Sequence, residues 1–136
     1  MQAALRTVRL IHIAMLASIG MYVVIGETVR SHYAAHPTVL YALSFASISV
    51  VGALLVVRRT LVVQSELQLR EKPEDAALLS RWRAGHIITY ALCETLALFG
   101  LVLRLLSFTI SQTWPYYAGG FVLMLLFWPR EPRVEG

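Results

Sequence analysis

Four stretches of this chain, residues 10–29, 38–57, 84–106 and 113–128, hold at most two charged residues each. A bilayer core is crossed by ~20 apolar residues in a helix, and the first three runs meet that length while the fourth is a little short. Lipid offers no water to an open backbone, so helix is the expected state for such runs. The expected fold is therefore all-α: a polytopic membrane protein with four transmembrane helices. Composition agrees. Of 136 residues, 57% are hydrophobic, which leaves too few polar residues to cover four helices with a wet face. One four-helix transmembrane domain covering 1–136 is the domain organisation this implies.

Arg6 and Arg9 precede the first run as in a secretory signal. No small-x-small cleavage site follows, so the run is read as a span that stays in place. The distribution of Lys and Arg sets the orientation. Arg6 and Arg9 lie before the first run, and Arg58, Arg59, Arg70, Lys72, Arg81 and Arg83 lie between the second and third. Arg130 and Arg133 follow the fourth, leaving only Arg30 and Arg104 for the opposite side. Ten against two places both termini in the cytoplasm, in a bacterial inner membrane. Aromatics at the ends of the runs, Trp82, Trp114, Tyr116, Tyr117 and Trp128, suit the two interfaces. Because the basic residues flank spans rather than line a surface, the net charge of +4 does not point to nucleic acid.

Between the second and third runs, 60–69 carries no helix breaker and should continue the second helix. Pro73, Glu74 and Asp75 then read as a helix start, with proline in the first turn and acids favoured by the helix dipole. Residues 58–83 are thus expected to form a long cytoplasmic helical hairpin, projecting about 15 Å if ten residues of each arm emerge.

Glu94 lies near the middle of the third run. A charge at that depth is expensive, so the group is expected to be protonated, paired or facing water, and functional use is the default expectation. Counting inward from each cytoplasmic end puts Ser18 to Gly20, Ser47 and Ala118 to Gly120 at the same depth. Tyr90 is one helical turn away. Glu94, Ser47 and Tyr90 are the expected ion-binding set, with Ser47 or Tyr90 supplying a hydroxyl. The small residues suit either close helix packing or space for water or an ion. The bland alternative is a protonated Glu94 held inside the bundle, or one paired with a partner's arginine.

The stretch Leu92-Cys93-Glu94-Thr95-Leu96-Ala97-Leu98-Phe99-Gly100-Leu101-Val102 resembles the carboxylate-bearing helix of the rotor-ring proteolipid, subunit c, of rotary ATP synthases. The second run carries a small-residue stripe, Ala42, Ala46, Ser49 and Ala53, where that family's packing helix has one. The resemblance covers the second and third runs only, about half the chain. It implies a proteolipid-like hairpin with Glu94 as the ion-binding carboxylate. The stripe holds Ala and Ser rather than repeated Gly, the loop is long, and the first and fourth runs have no counterpart in a two-helix proteolipid.

The histidines suggest other chemistry. His12 and His86 share a depth on the first and third runs, and two such histidines can hold haem b as axial ligands in a membrane bundle. Their alternative is two interfacial histidines bonded to headgroups or helix ends. His32 and His36 are spaced one helical turn apart, but Pro37 and the short loop favour a solvated connector, so no metal site is expected. Glu27 and Arg104 fall near the outer boundary and are a candidate ion pair. Cys93, the single cysteine, excludes an internal disulfide, a CxxC redox site and a cysteine zinc cluster.

Hydrolase motifs, phosphate-binding glycine loops and metalloprotease helices are absent, so the chain is not expected to be an enzyme on its own. Two functions remain: proton or ion handling through Glu94, or a non-catalytic subunit of a larger membrane complex. A haem-binding electron-transfer subunit is the third, outlying alternative. The expected partners are the lipid bilayer and other membrane subunits or further copies of the chain.

Overall fold

A computed structural model of the chain describes residues 1–29, 32 and 34–130. Arg30, Ser31 and Arg133, of which two entered the charge count above, lie outside the described residues. All regular structure among the described residues is helical. Helix α1 covers Gln2–Thr28 and α2 covers Pro37–Val57. A π-helical segment, Arg58–Val63, leads without a break into α3, Gln64–Glu71. Helix α4 covers Ala76–Leu105 and α5 covers Ile110–Leu126.

Three rods are long and apolar enough to cross a membrane: Gln2–Thr28, the continuous Pro37–Glu71, and Ala76–Leu105. Their outer surfaces are apolar too. Leu10, Val24, Tyr41, Phe45, Ile48 and Val56 are all more than 60% exposed, a surface that suits lipid. The chain is a helical membrane protein. The expected fourth run corresponds to α5, whose 17 residues make a helix of about 26 Å. That is shorter than the other three rods.

Helix α4 is the core. Of its most apolar stretch 44% is buried, against 17% in α1 and 6% in the α2 rod. It packs on α1, α5 and the α2 rod; α1 also touches α5, but α1 and α2 do not meet. Small residues set the closest approaches. A Cβ on Gly120 would lie 2.6 Å from the Cys93 carbonyl oxygen, so α5 rests directly on the α4 backbone. Gly85 admits Leu61 and Val62 of the π segment in the same way. The stripe of Ala42, Ser49 and Ala53 is exposed and Ala46 half-buried, so it faces away from α4.

The hairpin between α3 and α4 forms, with one change in its turn. Pro73 and Glu74 lie in the turn itself, and the first turn of α4 holds no acid. Asp75 is the N-cap: its carboxylate accepts from the Ala77 and Leu78 backbone N–H groups at 2.9 and 3.2 Å. Capping satisfies donors that an acid inside the helix would only attract. The arms are tied by Trp82 Nε1 donating to Glu66 at 3.2 Å and Arg81 donating to the Thr60 carbonyl at 3.3 Å. At the other end of α4, Ser107 takes φ 71°, the left-handed residue of a helix stop. Phe108 N–H reaches the Leu103 carbonyl and Ser107 N–H the Arg104 carbonyl, turning the chain into α5.

Candidate functional site

Helices α1 and α4 run parallel, and Glu94 meets α1 at Tyr22, whose hydroxyl donates to Glu94 Oε1 at 2.5 Å. Both residues are half-buried, and Oε2 accepts no hydrogen bond among the described residues. The expected partners lie elsewhere. Ser47 donates to the Leu43 carbonyl at 2.7 Å, within its own helix. It lines an apolar cavity of about 350 Å³ with Leu96, Pro115 and Gly119. Tyr90 is fully buried and donates to the Phe127 carbonyl at 3.1 Å, with His86 Nδ1 at 3.3 Å. Ser18 is bonded to the Ala14 carbonyl, and Gly120 serves close packing rather than a cavity.

The first turns of the bundle are different in character. His12 is fully buried, set edge-on to Tyr90 at 4.6 Å and to Trp128 at 4.8 Å. His86 is 2% exposed and packs on Trp82 at 4.6 Å and Tyr90 at 5.8 Å. Among the described residues, neither nitrogen of His12 nor Nε2 of His86 has a hydrogen-bond partner. The Arg58 guanidinium lies 4.1 Å over the Phe127 ring with its Nη1 buried and unpartnered. His12 and His86 are therefore brought into one cluster, with Tyr90 packed against both.

At the opposite end, Arg104 and Glu27 form a two-pronged pair, Nε to Oε1 at 3.0 Å and Nη2 to Oε2 at 3.1 Å. The remaining Arg104 nitrogen donates to the Phe108 carbonyl, closing the turn before α5. His36 is the residue before α2, whose first position is Pro37, so His32 and His36 do not share a helical turn.

Tyr22 and Arg58 are the two residues that sequence reasoning missed. Tyr22 sits one turn beyond the depth counted for Glu94. Arg58 counts in the sequence only as a basic residue of the helical hairpin, and nothing there shows that its side chain turns onto Phe127. Comparison with protein-family models, with curated proteins and with solved structures gave no match for this chain.

Proposed function

We propose that this chain is a four-span protein of a bacterial cytoplasmic membrane that takes up and releases a proton, or binds a small cation, at Glu94. The observation that carries this is the hydrogen bond between Tyr22 of the first rod and Glu94 of the third, which sets a phenol against a carboxyl between two apolar helices. A phenol can donate to the carboxylate or accept from the carboxylic acid, so it can stabilise both protonation states at a depth where charge is costly. The resemblance of residues 92–102 to the proteolipid helix points to the same carboxylate.

The four-span topology, with both termini and the hairpin in the cytoplasm, belongs to this proposal. It is supported by the charge count and by the contacts at the two ends of α5. Phe127 and Trp128 lie with Tyr90 and His12, and Tyr117 lies over Gly26 beside Arg104.

The test compares wild type, Glu94→Gln and Tyr22→Phe in proteoliposomes. Wild type should show proton flux and pH-dependent labelling of Glu94 by a hydrophobic carbodiimide. Glu94→Gln should assemble and lose both, and Tyr22→Phe should assemble with reduced flux. Wild-type flux in Glu94→Gln would refute the proposal. A second reading, a non-catalytic subunit, is favoured by the α2 rod, of whose apolar stretch only 6% is buried within the chain. Under that reading the protein co-purifies with a larger assembly and Glu94→Gln functions normally within it.

A further inference from the structure

Residues 10–26 hold no Asp, Glu, Lys or Arg, and in a helix they span about 26 Å. That stretch fills most of a ~30 Å hydrocarbon layer, so Arg6 and Arg9 stand at one of its faces and Glu27 at the other. The buried seam of Ala4, Leu5, Val8 and His12 fixes the rotation of α1 and leaves both arginines exposed. Three residues apart, they are neighbours on one helix face. They line a groove of about 370 Å³ together with Gln2, Leu10 and Ile13. Each guanidinium is carried one turn from an exposed aliphatic on the hydrocarbon side. Arg6 precedes Leu10, 64% exposed, and Arg9 precedes Ile13, 53% exposed. Beyond Ile13 the helix carries Ala17 and Gly20, both exposed, and a Cβ on Gly20 would meet nothing within 4 Å. The charge of the groove is unbalanced. Glu27 is the first acid in the chain, and among the described residues the one ion pair is Arg104–Glu27, so neither Arg6 nor Arg9 has a carboxylate.

We infer that this groove binds one anionic phospholipid, with its phosphate between Arg6 and Arg9 and an acyl chain along Leu10, Ile13 and the small residues beyond. A guanidinium presents two parallel N–H groups that match a phosphate edge, and the Gln2 amide adds a neutral donor. The long arginine side chains lay their apolar stems on the helix and hold their charge at the headgroup level. Two arginines without a carboxylate favour a headgroup with net negative charge, since a zwitterionic one brings its own cation beside them. Free phosphate would meet the charges but leave the aliphatic half of the groove unused. The site needs only a headgroup layer at this end of α1, in either leaflet, and does not involve Glu94.

The full chain is placed in phosphatidylcholine nanodiscs with a minor fraction of lipid carrying a nitroxide near the top of one acyl chain. The label is on phosphatidylglycerol in one arm and on phosphatidylcholine in the other, and paramagnetic broadening of the α1 amides is read by NMR. The phosphatidylglycerol label should broaden Ile13 and Ala17 more strongly, and the effect should saturate as its fraction rises. That preference should fall about fivefold in Arg6→Gln and about as much again when Arg9→Gln is added. Arg83→Gln removes one exposed positive charge from the same end of the bundle and should leave the preference intact. Equal broadening by the two labels in the wild type overturns the inference. An equal loss in Arg83→Gln overturns it as well, because a diffuse surface field would then explain the preference. Loss of the preference in excess inorganic phosphate would replace the lipid with a soluble anion.

Discussion

Gly119 and Gly120 are neighbours on α5, yet a methyl group would meet nothing within 4 Å at the first and the Cys93 carbonyl oxygen at 2.6 Å at the second. Gly120→Ala should therefore push α5 off α4 and destabilise the bundle by about 1–3 kcal/mol, the usual cost of overpacking. Gly119→Ala should be neutral or gain a few tenths of a kcal/mol from helix propensity. Thermal unfolding of both variants in one detergent checks the contrast, and equal losses would contradict it. Glu94 teaches a related lesson about single residues. Its place midway along an apolar run is legible because such a run has countable ends; its partner is not. Counting assigns a depth to each Cα, but a helical side chain leans toward the N-terminus and covers the turn before its own. Tyr22 thus reaches the level of Ser18, while Ser18 is turned back onto Ala14. Rotation about the helix axis decides between them, and a run of uniformly apolar residues carries little record of rotation.

At the scale of elements, the helices and the hairpin were readable from breakers and apolar runs, whereas the π segment was not. Arg58–Val63 contains no glycine or proline to announce a change of winding. Its wider turn goes with tertiary contacts: Arg58 on Phe127, and Leu61 and Val62 against Gly85. A helix accepts such a turn where packing rewards it, and local propensity is silent on the matter. The start of α4 shows the reverse case. The acids near Pro73 did mark a helix beginning, but only Asp75 acts, as a cap with two backbone donors on its carboxylate. Asp75→Ala should cost about 1 kcal/mol locally. The measurement is amide exchange: Ala77 and Leu78 should exchange about fivefold faster, with amides around Cys93 unaffected. Unchanged exchange at Ala77 would show that neighbouring packing, not the cap, holds this end.

For the whole molecule, orientation is the property that thiol chemistry reads most directly. In a Cys93→Ala background, His32→Cys should react with an impermeant reagent added outside intact cells, and Glu74→Cys should react only after lysis. The reverse pattern would invert the proposed topology. The hairpin that Glu74 occupies has a mechanical consequence. Helix α4 runs for 30 residues without a proline or an interruption, a stiff strut about 45 Å long. Its tip is joined to the α2 rod, while α1 packs only on α4 and α5. A load applied at the tip therefore acts as shear along the seam between α1 and α4. The Tyr22–Glu94 hydrogen bond lies across that seam, about 27 Å from the start of the strut. A slide of about 1 Å is enough to carry a hydrogen bond beyond its normal length. Whatever grips the tip thereby sets how firmly Tyr22 holds a carboxyl that the gripping partner never touches.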